Sequence, residues 1–135
     1  MDATKQKINP TILYVEDNEI NQVAIKKMLK ALGYEHVLTA TDANETLKLL
    51  EDPAIQLDLI LMDLGLPGMD GISLIQKIRH SQLKAKNVPI VALTANEEVI
   101  AKAKSFVAGV NDFLVKPVVQ SELGFKLERF FTKKS

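Results

Sequence analysis

Five side chains that could handle a metal ion and a phosphoryl group stand where short apolar segments end. Two such segments end on acid, one on a hydroxyl and one on an ammonium group, and the residues concerned are Glu16, Asp17, Asp63, Thr94 and Lys116. If these segments are parallel strands, their carboxyl ends meet at one edge of a sheet. Like-charged carboxylates there repel by about 4 kcal/mol per pair at about 4 Å and an effective dielectric constant of about 20. Such a cluster binds a cation or keeps one acid protonated.

Magnesium and phosphate chemistry fit this set of side chains. Mg²⁺ takes a few carboxylates, keeps several waters and leaves a position for a phosphoryl oxygen. A carboxylate such as Asp63 can attack phosphorus to form an acyl phosphate. The charge on the phosphoryl oxygens then needs electrostatic partners, which the metal ion, Thr94 and Lys116 can supply.

Composition indicates one ordinary globular domain. Of the 135 residues, 47% are hydrophobic and 25% are charged, with 17 basic and 17 acidic side chains. This balance gives no overall field that draws the chain to nucleic acid or to a membrane surface, so neither is expected as a direct partner. The absence of cysteine excludes disulfides, thiolate metal sites and cysteine nucleophiles. No apolar run approaches the roughly 20 residues of a membrane helix, and residues 1–9 are polar, so we expect a cytoplasmic location.

Strand-like and helix-like segments alternate along the chain. Short apolar runs predict strands at 11–16, 37–40, 57–62, 88–93 and 110–115. Helical spacing predicts helices at 18–32, 97–108 and 121–131, one after the capping-box pair Asp42 and Glu45, and one around Ile72, Ile75 and Ile78. Strict alternation predicts a doubly wound α/β fold over residues 10–132, in which helices cover both faces of a five-stranded parallel sheet. Residues 1–9 and 133–135 are expected to be flexible ends.

The first predicted helix carries an apolar stripe and a stop signal. The stripe consists of Ile20, Val23, Ala24, Met28 and Leu32, and Gly33 follows as the expected cap. The two histidines, at positions 36 and 80, have no metal-ligand partner at suitable spacing and are expected at the surface.

Taken together and in order, these motifs resemble the receiver domain of two-component response regulators. The pieces are Glu16-Asp17, Asp63, Thr94-Ala95 and Lys116-Pro117, with looser marks in the LPGMDG segment at 66–71 and the NDF segment at 111–113. The resemblance runs from residue 11 to residue 131, and the segment 15–21 is most similar to receivers attached to hybrid histidine kinases. No single piece is specific, whereas the ordered set is.

The resemblance implies the fold details and the metal site. It implies a flavodoxin-like receiver fold with strand order 2-1-3-4-5. It also implies Mg²⁺ as the cofactor, with Asp17 as a direct ligand and Glu16 acting through a water. Asp63 and the backbone carbonyl of Gly65 would complete the protein's ligands.

The resemblance further implies a phosphorelay function. Asp63 would accept a phosphoryl group from a histidine kinase or a histidine phosphotransfer protein, while Thr94 and Lys116 would bind phosphoryl oxygens. Thr94 and Phe113 would form the switch that changes partner binding, and the Lys116–Pro117 bond would be cis. The chain would then be a signalling protein rather than an enzyme, limited to self-phosphorylation and slow autodephosphorylation. Homodimerisation on phosphorylation is one output that the resemblance allows.

Three other functions are compatible with parts of the pattern. A flavodoxin-like cofactor binder needs an anion-binding loop after the first strand, where the segment 16–19 would instead repel phosphate. A phosphohydrolase with an aspartate nucleophile needs a second acid two residues later, where this chain has Gly65. A degenerate receiver used only for binding is least supported, because every acid, the threonine and the lysine are present. Whether the chain is a single-domain regulator or the receiver of a hybrid kinase stays open.

Overall fold

A five-stranded parallel sheet forms the centre of the described part of the chain, residues 9–65, 71–95 and 109–131 of a computed structural model. Its strands are β1 (Thr11–Val15), β2 (His36–Ala40), β3 (Leu59–Asp63), β4 (Ile90–Thr94) and β5 (Asp112–Val115). Neighbouring strands are all parallel, and their spatial order is β2-β1-β3-β4-β5. The predicted strand order is therefore confirmed.

Helices cover both faces of this sheet. They are α1 (Glu19–Ala31), α2 (Ala43–Glu51), α3 (Gly71–Arg79) and α4 (Gln120–Phe131), with a 3₁₀ turn at Lys84–Asn87. Buried side chains of α1 and α4, such as Ile25 and Leu123, share one cluster with alternate residues of the strands. Those of α2 and α3, such as Leu50 and Ile75, share a second cluster with the intervening strand residues. Because successive strand residues point to opposite faces, the two clusters lie on the two sides of the sheet, as a doubly wound fold requires.

The interior strands are apolar runs because both of their faces are covered. Every residue of β3 and of β4 is buried, including the polar residues at their carboxyl ends, Asp63 and Thr94. The edge strand β2 is only partly buried and begins at exposed His36. Burying a charged residue at the end of a central strand is costly unless it is paired. The buried polar residues at the ends of β3 and β4 therefore serve a purpose other than packing the core.

Local capping fixes the helix boundaries close to the predicted positions. Asn18 precedes α1, and its side chain accepts a hydrogen bond from the N–H of Asn21 at 2.9 Å. At the other end Gly33 has a φ of +98°, and the N–H of Tyr34 donates to the carbonyl of Leu29 at 2.8 Å. This is the glycine-capped ending expected from the sequence.

The second helix begins with the predicted pair of capping side chains. Asp42 accepts from the N–H of Glu45 at 2.8 Å, and the Glu45 carboxylate accepts from the N–H of Thr41 at 2.7 Å. Two backbone donors at the helix start are satisfied in this way.

The apolar stripe that predicts α1 is only partly buried in the fold. Ile20 is 79% exposed and Val23 is 53% exposed, whereas Ile25 and Leu29 are buried. Met28 and Leu32, the last two residues of the stripe, are partly buried beside them. The helix carries more apolar residues than one stripe needs, so its spacing fits two faces, and only packing against the sheet selects one of them. The other face leaves an apolar surface on α1.

Several predictions fall on residues outside the described ranges. They concern the helix at 97–108, the LPGMDG segment at 66–71 apart from Gly71, and the chain ends apart from Asn9. Within the described ranges, none of the helices has the length and apolar character needed to cross a bilayer.

Candidate functional site

Strand register brings the predicted site residues to one edge of the sheet. Val15 lies opposite Met62, so the next residues, Glu16 and Asp63, are level with each other. On the other side of β3, Asp63 lies opposite Leu93, the residue before Thr94. Thr94 in turn lies opposite Val115, which Lys116 follows. These four strand ends therefore form one continuous row.

The three predicted carboxylates form a compact cluster. One oxygen each from Glu16, Asp17 and Asp63 lies within 4.8 Å of the others. Glu16 is 1% exposed and Asp63 is 5% exposed, whereas Asp17 is exposed to solvent. The cluster thus has two buried members and one member that faces the solvent, from which an ion would arrive.

Lys116 joins the two buried carboxylates. Its Nζ lies 3.3 Å from Oε1 of Glu16 and 3.2 Å from Oδ2 of Asp63. Its backbone N–H donates to the carbonyl of Thr94 at 2.8 Å, and the bond to Pro117 is cis, as expected. One ammonium group therefore contacts both acids, and its main chain is bonded to the end of β4.

Two neighbouring glycines restrict the position of Asp63, one through its carboxylate and the other through its main chain. The N–H of Gly65 donates to Oδ1 of Asp63 at 2.9 Å. The first residue of α3, Gly71, packs so closely that a Cβ there would lie 2.5 Å from the carbonyl oxygen of Asp63 and 2.6 Å from Cα of Leu64. Only glycine fits at this position without a shift of the backbone that carries Asp63.

The two buried acids differ in proton affinity. Burial raises the pKa of Asp63, although the N–H of Gly65 and the charge of Lys116 oppose the rise, and nearby Glu16 adds to it. Burial also acts to raise the pKa of Glu16, but the hydrogen bond from Tyr14 and the charge of Lys116 outweigh it and lower the pKa below its ordinary value. Of the two acids, Asp63 therefore holds a proton more readily than Glu16 does.

The contacts of Tyr14 and Gln22 with Glu16 were not predicted from the sequence. The hydroxyl of Tyr14 donates to Oε1 of Glu16 at 2.9 Å, and burial followed by the charge of Glu16 raises the Tyr14 pKa far above its ordinary value. The side-chain amide of Gln22, on α1, donates to the main-chain carbonyl of Glu16 at 2.6 Å. The available signal for Tyr14 was a hydroxyl in an aliphatic strand, two residues before Glu16 and hence on the same side of the strand.

The remaining predicted residues lie where the pattern requires. Thr94 is buried at the end of β4, one residue beyond the level of Asp63. Phe113 is half-buried on β5 and packs against the cluster shared by α2 and α3. Gly65 contacts Asp63 through its N–H, so metal ligation by its carbonyl stays a prediction. The switch roles of Thr94 and Phe113 stay predictions as well. The two histidines are exposed, as expected.

The donor set suits a hard divalent cation. All three clustered ligands are carboxylate oxygens, the type that Mg²⁺ binds, and the exposed member leaves room for the waters that Mg²⁺ retains. With every acid ionised, three negative charges face one ammonium group, which leaves two negative charges for a cation to balance.

Comparison with known proteins identifies the family. A family model of the response regulator receiver domain matches residues 12–128, and the chain belongs to this family. Chemotaxis protein CheY-3 of Vibrio cholerae is 32% identical, over 98% of this chain and 99% of that protein. The transcriptional regulatory protein YrkP of Bacillus subtilis is 39% identical over 83% of this chain, and the chain spans only 45% of YrkP.

One solved receiver domain has the same fold and contains a metal ion. The receiver of sensor histidine kinase PA1611 from Pseudomonas aeruginosa is 39% identical, with a TM-score of 0.77 over 90% of this chain and 97% of that chain. That structure holds a magnesium ion coordinated in its active-site cleft. The predicted resemblance to receivers of histidine kinases is thereby confirmed.

Magnesium should stabilise the folded chain by relieving repulsion in the cluster. A ligand that binds only the folded state adds about 1.4 kcal/mol at about ten times its Kd, which thermal unfolding with and without Mg²⁺ would detect. In Asp17→Asn the shift should largely disappear, because an exposed carboxylate of the cluster is lost. Asp52→Asn, which removes an exposed carboxylate at the end of α2, is the matched control and should keep it. A full shift in Asp17→Asn would place the metal elsewhere.

Proposed function

We propose that this chain is a phosphorelay switch in which Asp63 accepts a phosphoryl group from a histidine kinase or a histidine phosphotransfer protein. The observation that carries the proposal is the position of the Asp63 carboxylate, 5% exposed at a strand end and 3.2 Å from Nζ of Lys116. A buried acid paired with a lysine beside two further carboxylates is poorly explained by stability alone, since buried ion pairs contribute little to it. The proposal includes a cytoplasmic location, where ATP-dependent kinases supply phosphoryl groups.

The chemistry follows from groups already in place. An oxygen of the Asp63 carboxylate bonds to phosphorus while the bond from phosphorus to the donor's imidazole nitrogen breaks. The imidazole leaves neutral if its other nitrogen already carries a proton. Mg²⁺, held by Glu16, Asp17 and Asp63, would supply positive charge and orient the phosphoryl group. Lys116 balances charge on the phosphoryl oxygens, and the hydroxyl of Thr94 donates to another of them.

The chain would act on itself and not turn over a separate substrate. The acyl phosphate formed on Asp63 would be lost by hydrolysis within the same site, so catalysis is limited to gain and loss of this one group. The phosphorylated form would then change the binding of a partner, which includes a second copy of this chain.

An exposed apolar surface on α1 supports a protein as the phosphoryl donor. The surface consists of Ile20, Val23 and Ala24 with flanking Glu19 and Lys27. It lies in the first half of α1, a helix that begins two residues after Asp17 and hence at the site's edge of the sheet. Exposed apolar patches rimmed by charge are typical of protein-binding surfaces. A donor docked there would lie at the edge of the sheet that carries Asp63.

Asp63 should be the sole phosphorylated residue. Incubation with acetyl phosphate and Mg²⁺ should add one phosphoryl group that is labile to base, as seen by intact mass. Asp63→Asn should abolish this addition, and Lys116→Ala should lower its rate because an oxyanion loses a charge-assisted partner. Lys126→Ala, which removes a lysine that pairs with Asp112 on β5, is the control for general loss of a lysine and should phosphorylate normally. An unchanged yield in Asp63→Asn would falsify the assignment.

The α1 surface should matter for a protein donor and not for a small one. Ile20→Asp should slow transfer from a phosphorylated histidine phosphotransfer domain that serves the wild-type chain, by about tenfold or more if the side chain is a docking hot spot. Its rate with acetyl phosphate should stay normal. Phe125→Asp, at a 66% exposed position on α4, is the matched control. Equal slowing with both donors would show that Ile20 affects the chemistry, and no slowing with either would place docking elsewhere.

Loss of phosphate should depend on the size of residue 65. Gly65 is exposed, and a Cβ there would lie 3.6 Å from Oδ1 of Asp63, an ordinary contact that leaves the path to phosphorus open. Hydrolysis depends on positioning a water in line with the breaking bond. Gly65→Met should therefore slow loss of phosphate with Mg²⁺ binding near normal, and Gly65→Ala should have a smaller effect. Decay followed by intact mass measures this, and equal or faster decay in Gly65→Met would mean that access here is not limiting.

A further inference from the structure

The hydroxyl of Tyr14 is a polar group in an otherwise aliphatic strand, and it points at the candidate site. Tyr14 is 1% exposed, and its hydroxyl donates to Oε1 of Glu16 at 2.9 Å. A buried tyrosine needs a partner for its hydroxyl, and this one has a carboxylate of the metal cluster. Its ring could pack equally well without the hydroxyl, so packing does not explain the polar atom.

Tyr14 and Lys116 share one oxygen of Glu16. Nζ of Lys116 lies 3.3 Å from the same Oε1, and the N–H of Asn18 donates to Oε2 at 3.3 Å. Lys116 also lies 3.2 Å from Asp63, so it is divided between two acids. If the lysine moved to a phosphoryl group on Asp63, the hydrogen bond from Tyr14 would keep Oε1 of Glu16 satisfied. Leaving a buried carboxylate oxygen without any donor would be costly.

We propose that Tyr14 is a positioning residue for phosphoryl transfer, which holds Glu16 in place for the metal ion and frees Lys116 for the phosphoryl group. This inference rests on the proposed roles of Glu16, Asp63 and Lys116. Without the hydroxyl, Oε1 of Glu16 would depend more on Lys116, the other side-chain amine or hydroxyl donor to this oxygen among the described residues, so the lysine is held more firmly on the carboxylate. Glu16 also loses the contact that fixes its rotation. Both the metal affinity and the reaction at saturating metal therefore depend on Tyr14.

Tyr14→Phe isolates the hydroxyl, because the ring itself is retained. One side of Tyr14 borders a cavity of about 380 Å³ that Lys116, Pro117 and Met28 also line. We expect the Kd for Mg²⁺, measured by calorimetry, to rise about three- to tenfold, the range given by the net loss of one ordinary hydrogen bond. Phosphorylation by acetyl phosphate should also be slower at saturating Mg²⁺, which a change in metal affinity alone would not produce.

The other tyrosine of the chain is the matched control. Tyr34 contacts Phe131, with ring centroids 5.4 Å apart, and belongs to the end of α1 away from the site. Tyr34→Phe should leave both the Kd for Mg²⁺ and the phosphorylation rate unchanged. Wild-type values for both quantities in Tyr14→Phe would overturn the inference.

Tyrosine emission gives a second measurement that does not depend on the Tyr14 variant folding. The chain has two tyrosines and no tryptophan, so Tyr34→Phe leaves Tyr14 as the sole emitter. A hydrogen bond from a tyrosine to a carboxylate quenches its emission, and a metal ion on Glu16 weakens that bond. Emission from Tyr34→Phe should therefore change on addition of Mg²⁺ with the same midpoint as calorimetry. No change in emission while calorimetry shows binding would overturn the inference.

A double-mutant cycle tests whether the hydroxyl acts through Glu16. On a Glu16→Gln background, Tyr14→Phe should add little further effect on the Kd for Mg²⁺, because the coupled partner is already altered. A full additional effect would show that Tyr14 acts elsewhere, against the inference. If the wild-type chain neither binds Mg²⁺ nor accepts a phosphoryl group, the proposed function fails together with this inference. If the wild-type chain does both and Tyr14→Phe matches it, only the role of Tyr14 fails.

Discussion

The ammonium group of Lys116 lies between two buried carboxylates, and the site depends on the charge balance among them. Contacts of 3.3 Å to Glu16 and 3.2 Å to Asp63 let one cation serve two acids that would otherwise be buried at great cost. One lysine cannot neutralise both of them and Asp17 as well. Burial is the main cause of the raised pKa of Asp63, and this deficit of positive charge, through the nearby charge of Glu16, adds to it. A divalent cation removes the same deficit without a proton, and this is the chemical basis for expecting one here.

The parallel sheet is what makes this crowding possible. Strands β1, β3 and β4 are buried along their whole length, or nearly so, and each emerges at the same edge. Because their registers are aligned, the residues at the carboxyl ends of these strands must lie next to one another. The cores on both faces hold the strands rigidly, so repulsion among the acids cannot be relieved by moving the backbone. Gly71 adds to this rigidity by packing directly against the carbonyl of Asp63. The stability of the two cores therefore maintains an electrostatically unfavourable site.

The sequence predicts the residues of this site well because strand ends are readable as local patterns. An apolar run that stops at an acid, a hydroxyl or a lysine needs no tertiary information to be recognised, and alternation with helices predicts parallel strands.

Strand order is different, because no local pattern specifies which strands are neighbours, and here the order came from resemblance to a family. The same limit applies to α1, where Ile20 and Ile25 are equally apolar in sequence and only packing against the sheet decides which of them is buried. It also explains why Tyr14 was missed, since its role depends on a hydrogen bond across one strand face and a tyrosine in a strand usually serves packing. The helix predicted at 97–108 lies outside the described residues, and the switch roles of Thr94 and Phe113 stay predictions.

The charge balance also constrains how phosphorylation of the site could change the structure around it. Under the proposed function, a phosphoryl group adds negative charge at Asp63, so Lys116 would be drawn towards it and away from Glu16. The main chain of Lys116 is hydrogen-bonded to Thr94, so a displacement there would act on the ends of β4 and β5 together. The earlier part of β5 is less free to follow, because Lys126 on α4 contacts both the carboxylate of Asp112 and the carbonyl of Phe113. With the Phe113 backbone held by α4, a response at this residue would be a rotation of its half-buried ring rather than a shift of the strand. Under the proposed function, a response would therefore involve side chains of β5 and the ends of β4 and β5, and would leave the central strands β1 and β3 in place.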